Sequence, residues 1–300
     1  MINGIINVYK EKGYTSHDVV AKLRGILKQK KIGHTGTLDP DAEGVLPVCL
    51  GNATKLCDIL TDKSKAYRAV LLLGITTDTQ DITGKIIEEK AVTAGKEEIL
   101  EAILSFRGSY DQIPPMYSAL KVGGKRLYEL AREGKEIPRE SRKVELHSIT
   151  VESLDMNTKE AVIVVECSKG TYIRTLCHDI GEKLLCGGCM KALTRIRSGE
   201  FDISESLKLG EIETVYKNGT LDEHVKSVPA MFPEYGHVTV KKEFDKQLYN
   251  GNFLVLNQLE QETINVSNNK VLVYDGENNF VGIYEYCPEQ EIIKPYKMFL

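Results

Sequence analysis

No segment of the 300-residue chain approaches the roughly 18 consecutive apolar residues that a membrane span needs. With 42% hydrophobic and 27% charged residues, the composition is that of a protein that stays in water. The N-terminus runs from Met1-Ile2-Asn3-Gly4 straight into a strand-like stretch, without a basic segment, apolar stretch and cleavage site in series. Export is therefore not expected, and a cytoplasmic location is. The seven cysteines (Cys49, Cys57, Cys167, Cys177, Cys186, Cys189 and Cys287) are an odd number scattered through apolar stretches, which argues for reduced thiols and against a disulfide framework. Cys186-Gly187-Gly188-Cys189 has the CxxC spacing, but a four-ligand zinc site needs a second pair, and none follows at a matching interval. No metal is expected. Phosphate-binding loops, dinucleotide turns, zinc-protease and serine-hydrolase signatures are all missing, so cofactor chemistry loses ground.

An excess of positive charge is missing too: the net charge is -4, where a nucleic-acid partner usually leaves a basic footprint. The distribution qualifies this. Residues 231–300 hold ten acidic against six basic residues, so residues 1–230 balance at 33 against 33. Charges are screened beyond about 8 Å at physiological salt, so local clusters count for more than the total. Lys22, Arg24, Lys28, Lys30 and Lys31 form one cluster, and Lys121, Lys125, Arg126, Arg132, Lys135, Arg139, Arg142 and Lys143 form another. Each is either a solvated face or a phosphate-binding surface.

Ile5 to Tyr9 reads as a strand. Ser16 can cap a helix whose apolar residues Val19, Val20, Leu23, Ile26 and Leu27 follow the helical period. Lys31 to Leu50, rich in Gly, Pro and Asp, reads as one long ordered working loop. Strands are predicted at Lys65 to Ile75, Lys85 to Glu89, Val144 to Leu154 and Ala161 to Cys167. Helices are predicted at Lys96 to Phe106, Leu127 to Arg132 and Thr171 to about Leu185. Pro114 to Lys121 is extended, and Gly123-Gly124 turns the chain. The irregular alternation, with neighbouring strands close enough to pair antiparallel, gives an α+β class with a mixed, largely antiparallel sheet and flanking helices. The polar stretch Lys217 to Val228 marks a boundary between residues 1–230 and a small barrel-like β module, 231–300, with strands at Phe253 to Leu256, Lys270 to Tyr274 and Phe280 to Tyr284.

The most distinctive stretch is Gly33-His34-Thr35-Gly36-Thr37-Leu38-Asp39-Pro40-Asp41-Ala42-Glu43-Gly44-Val45-Leu46. Asp-Pro between glycines is a common turn former. It becomes a nucleophile only if a fixed guanidinium keeps the carboxylate ionised and aimed. Ser168-Lys169-Gly170-Thr171-Tyr172-Ile173-Arg174 offers one: a glycine turn delivers Arg174 into the first turn of a helix, where an anion offsets the unfavourable macrodipole. Tyr67, between Ala66 and Arg68 in an alternating run, is a buried sheet tyrosine or a platform on which a base stacks.

These residues carry a resemblance. Gly33 to Pro40 with Ala42, Gly44 and Leu46, then Lys65-Ala66-Tyr67-Arg68, then Ile113-Pro114-Pro115-Met116-Tyr117-Ser118-Ala119-Leu120-Lys121, then Ser168 to Arg174, resemble, in order, the motifs of the bacterial tRNA pseudouridine 55 synthase family, TruB. The resemblance covers residues 4 to about 200. It thins after about residue 230, where that family has a small RNA-binding module of the PUA type, and Thr194 stands where relatives often have arginine. It implies the pseudouridine synthase fold and an enzyme that isomerises the T-loop uridine of tRNA by flipping it out, without metal, nucleotide or redox cofactor. By the same resemblance Asp39 is the nucleophile and Arg174 its partner, while Tyr67 stacks on the uracil and takes the C5 proton. His34 resembles the residue that fills the gap left by flipped bases. Lys10, Tyr172 and Leu193 resemble pocket-lining positions, and the segment holding Lys121, Lys125 and Arg126 would grip phosphates of an A-form stem. The expected partner is the T arm of tRNA, with no membrane, no obligatory protein partner and a monomer as the default. A guide-dependent synthase and an RNA-binding protein without turnover stand as alternatives.

Overall fold

The computed structural model describes residues 1–261 and 269–300. Its first half supplies β1 (Gly4–Lys10), α1 (Ser16–Leu27), β2 (Ile32–His34), β3 (Glu43–Leu50), α2 (Cys57–Thr61), β4 (Lys65–Leu73) and a hairpin of β5 (Ile75–Thr77) and β6 (Ile86–Glu89). Next come α3 (Lys96–Leu104), β7 (Gly108–Gln112), a second hairpin of β8 (Lys121–Val122) and β9 (Lys125–Arg126), then α4 (Leu127–Arg132). The second half continues with β10 (Arg142–Asp155), β11 (Glu160–Cys167), α5 (Ile173–Lys183), β12 (Gly188–Ser198), β13 (Phe201–Asp202), α6 (Leu209–Asn218) and β14 (Val225–Lys226). The main sheet runs β14-β1-β3-β12-β4-β11-β10-β7, with β2 beside β3 and β13 beside β12. Its pairs are antiparallel except β3 with β12, where Thr194 meets Glu43 and Arg195 meets Gly44 in parallel.

Alternation decides which face each strand buries. Ala69, Leu71 and Leu73 of β4, Ala161, Ile163 and Val165 of β11 and Leu193 of β12 lie on one face, and Ile99 and Ile103 of α3 with Leu176 and Ile180 of α5 cover them. At the other end of the sheet, Val19, Val20, Leu23 and Leu27 of α1 and Ile212 of α6 pack on Ile6, Val8, Leu46 and Val48. Each such side chain contributes about 1.5–3 kcal/mol on burial. A second sheet, β15 (Gly236–Thr239), β17 (Lys270–Tyr274), β18 (Phe280–Cys287), β19 (Ile292–Met298) and β16 (Leu254–Val255) in that spatial order, curls around its own core. The short α7 (Asp245–Tyr249) lies beside it, and Leu272, Ile283 and Phe299 join Ile5, Val45 and Phe201 in a core shared with the main sheet.

Several elements differ from the sequence reading. Lys31 to Leu50 is not one loop: β2 and β3 occupy its ends, leaving residues 35–42 irregular. The run Gly44 to Leu50 is buried throughout, so it shows no alternation by which to read a strand. β12, central in the sheet, went unpredicted because Lys191, Arg195 and Arg197 interrupt its apolar pattern. The helix expected from Thr171 begins at Ile173, after Gly170 has turned at φ +79°. Within Lys217 to Val228, β14 pairs with β1, so this polar stretch still belongs to the main sheet. At α1 the cap is Thr15, which forms a capping box with Asp18, and this frees Ser16 to point inward.

Candidate active site

Residues 35–42 join β2 to β3 and are pinned at both sides of Asp39. Leu38 N donates to Ser16 Oγ at 3.0 Å. Pro40 O accepts from Gly13 N at 2.9 Å and from Lys10 Nζ at 3.2 Å. Lys10, fully buried, also donates to Tyr14 O at 2.7 Å and Glu11 O at 3.1 Å, and burial pushes its ammonium down to about 8. Asp39 thus sits between two anchored residues, its carboxylate 39% exposed.

Arg174 meets it from the first turn of α5. Its Nε lies 2.9 Å from Asp39 Oδ2, and Nη2 donates to Asp39 Oδ1 at 3.3 Å, a two-point fork. The same guanidinium, 6% exposed, donates from Nη2 to Tyr117 O at 2.9 Å and from Nη1 to Thr79 O at 3.2 Å, and Asp81 Oδ2 stands 3.9 Å from Nε. The start of α5 is fixed by Gln112, whose side chain accepts from Tyr172 N at 2.7 Å and donates to Tyr172 O at 3.0 Å. Thr175 Oγ1 donates to Gln80 Oε1 at 2.8 Å, tying the helix to the turn that carries Thr79 and Asp81.

Tyr67 of β4 lies opposite Arg195 of β12 and Val165 of β11, and its ring packs against the core that holds Leu38 and Leu193. Burial raises its phenol above the ordinary 10.0. Leu193, almost buried, faces Ala69 further along the same two strands. His34 of β2 sits edge-on to His17 with ring centroids 5.3 Å apart, its Nδ1 3.2 Å from Gly36 O. Burial and the neighbouring His17 lower it from 6.5. Lys121, Lys125 and Arg126 form the exposed β8–β9 hairpin, which Leu127 and Tyr128 bind through their amides to Leu120 O and Ser118 O, next to Tyr117.

The structure therefore gathers Asp39, Arg174, Tyr67 and Leu193 around the central strands β12 and β4, with Lys10 beneath the loop and the basic hairpin one short segment from Arg174. Ser16, Thr79, Asp81, Gln112, Tyr117 and Arg195 also build the site and were not singled out as site residues from sequence. Of these, Tyr117 alone lay within one of the four family-like motifs. Arg195 carried only a weak signal, as one of three charges that break the apolar pattern of β12. Among the described residues no cluster of three or more His, Cys, Asp or Glu side chains could hold a metal, and no helix is long and apolar enough to cross a membrane.

Comparison with known proteins adds to this geometry. Residues 24–173 match the TruB family pseudouridylate synthase N-terminal domain, and residues 174–232 match the tRNA pseudouridylate synthase B C-terminal domain. The tRNA pseudouridine synthase B of Lachnoclostridium phytofermentans is 56% identical over 100% of both chains. That of Clostridium perfringens is 46% identical over 94% of both. That of Bacillus pumilus is 42% identical over 99% of this chain and 98% of its own. Among solved structures, a chain of a Cbf5-Nop10-Gar1 complex superposes at a TM-score of 0.73 with 25% identity, covering 99% of this chain and 85% of that one. A chain of an H/ACA ribonucleoprotein bound to a substrate RNA containing 2'-deoxyuridine gives 0.71 at 23% identity over 99% and 85%, a likeness of fold.

Proposed function

This chain belongs to the TruB family of pseudouridylate synthases, and from that premise we propose that it isomerises the uridine at position 55 in the T loop of tRNA with Asp39 as nucleophile. The coarser statement stands on the relatives: the protein is an RNA-modifying isomerase of the tRNA pseudouridine synthase B kind. The observation that carries the finer reading is the half-exposed Asp39 carboxylate held by a buried guanidinium fork. Such a pair keeps one anion aimed outward while its counter-charge is fixed from within.

The stacked T-loop uridine must leave the helix, at a few kcal/mol for unstacking and unpairing. His34, neutral at pH 7 because burial depresses it, fills the gap left behind without adding charge. Leu193 and the Tyr67 ring hold the uracil flat, with Tyr172 at the pocket rim, and Lys10 keeps Pro40 in place so that Asp39 points at the sugar and base. Asp39 attacks either C1′ of the ribose or C6 of the uracil. The N1–C1′ bond breaks, the base turns, and C5 bonds to C1′ as Asp39 leaves. The C5 proton passes to Tyr67 and N1 gains a proton, so atoms balance with no redox step or added group. Lys121, Lys125 and Arg126 grip the phosphates of the stem, reading shape more than sequence.

We divide the chain at residue 230 into a catalytic part and a PUA-like RNA-binding module, and read the enzyme as a cytoplasmic monomer acting without guide RNA or partner protein. The test is carbodiimide mapping of pseudouridine on an unmodified tRNA transcript incubated with the purified chain alone. A single new adduct at the T-loop uridine is expected. An adduct elsewhere, or none without added RNA or protein, refutes the assignment.

A further inference from the structure

Arg195 has a buried donor that nothing uses. It is 1% exposed, yet only its Nε has a strong partner, Val45 O at 2.6 Å, and its Nη2 has none. A buried guanidinium nitrogen without an acceptor is expensive and usually marks a functional demand. Its position is imposed by the backbone. Arg195 lies at the one parallel junction of the main sheet, opposite Gly44, where φ is +105° and any Cβ would run into the Arg195 backbone. On its other side it lies directly opposite Tyr67 in the antiparallel β12–β4 ladder, which sends both side chains to the same face.

We propose that Arg195 is a positioning residue for Tyr67, its free Nη2 donating to the phenol oxygen as that oxygen becomes the acceptor of the uracil C5 proton. This rests on the reading that Tyr67 takes the C5 proton. A buried phenol is a poor acceptor because burial disfavours its charged form. Burial does raise Tyr67, and the charge of Arg195 and its reach to the phenol are the main influences acting the other way. Cys167 of β11 and Asp39 of the loop also face Tyr67, and both push its phenol up. On its remaining sides the Arg195 charge is felt by Lys10 of β1, His34 of β2 and Lys65 of β4, which it disfavours as cations. No other cation stands among the described groups acting on Tyr67, so Arg195 is the side chain that works against the burial of its phenol.

The test compares wild type with Arg195→Met, Arg195→Lys and Tyr67→Phe by single-turnover release of tritium from C5-labelled tRNA transcript between pH 6 and 9. Removing the charge should raise the Tyr67 ionisation further, so Arg195→Met should lose about tenfold in rate at pH 7. Below the Tyr67 ionisation both rates should rise with pH, Arg195→Met staying under wild type by the same factor, while tRNA affinity stays within about twofold. Arg195→Lys should recover most of the rate and the wild-type profile, which a purely structural role would not require. Thermal unfolding of each variant identifies any loss due to misfolding, and in that case the Arg195→Lys profile decides. An unchanged rate in the folded Arg195→Met variant, or a loss that weaker tRNA binding fully explains, overturns the proposal. Full activity in Tyr67→Phe instead overturns the reading of Tyr67 on which it rests.

Discussion

Arg174→Lys separates charge from geometry at the Asp39 pair. The native guanidinium, on a side chain that is 6% exposed, makes three donations, to Asp39 Oδ1, Tyr117 O and Thr79 O, and its Nε stands 2.9 Å from Asp39 Oδ2. Lysine keeps the charge but brings one nitrogen, which can reach one carboxylate oxygen and at best one carbonyl. The other carbonyl and the fork are lost. An unsatisfied buried acceptor costs about 1–3 kcal/mol, and with the weakened ion pair the loss comes to roughly 2–4 kcal/mol. In a chain of this size each kcal/mol moves Tm by about 2–4 °C, so Tm should fall by roughly 5–15 °C. A carboxylate free to swing should lose about 10²–10³ in turnover, or about 2.7–4 kcal/mol of barrier. Tritium release at saturating tRNA and thermal unfolding by circular dichroism check both numbers. Turnover within threefold of wild type with unchanged Tm would refute the idea that the fork aims Asp39.

Asp179 of α5 is pushed up to about 6 by burial, with Glu182 adding to it. A folded pKa above the ordinary 3.8 favours the protonated form, so its contribution to stability is lost as pH rises through 6, and Asp179→Asn should stabilise the chain at pH 7 by about 1–2 kcal/mol and change little at pH 3.5. Urea unfolding at the two pH values measures this. Gly44→Ala places a Cβ against the Arg195 backbone at a φ of +105°, and should lower stability by about 2–4 kcal/mol through strain and separation of β3 from β12, seen as a lower urea midpoint. Charge reversal at Lys125 and Arg126 should weaken tRNA binding and flatten the slope of log affinity against log salt by about 0.7–0.9 for each phosphate no longer neutralised, read by filter binding at several salt concentrations.

The sequence carried α1, α3, α4 and α5 and the strands β1, β4, β10 and β11, but not α6, β7 or β14; where the apolar residues keep a clear period the reading holds, and Val19, Val20, Leu23 and Leu27 of α1 all turn out buried. It did not carry β12, because a strand in the middle of a sheet can hold Arg195 and Arg197 when neighbouring backbone and carboxylates receive them, as Val45 O and Glu166 do. For the same reason β3 hid within a glycine- and proline-rich stretch: its neighbours β1, β2 and β12 supply the pairing that local propensity does not. Asp39 and Arg174 were legible as candidates through their motifs. What holds them was not, since Thr79 and Tyr117 act through backbone carbonyls, which any residue type provides, and Ser16 acts across 22 residues of chain.

The central claim is that Asp39 is the nucleophile of a uridine isomerase. The most direct measurement is tritium release from an unmodified tRNA transcript labelled at uracil C5, with wild type and Asp39→Asn compared and no cofactor added. The account predicts catalytic release by wild type, lost when the T-loop uridine is replaced by cytidine, and none from Asp39→Asn despite tRNA binding within a few-fold of wild type. Sustained multiple turnover by Asp39→Asn would contradict it.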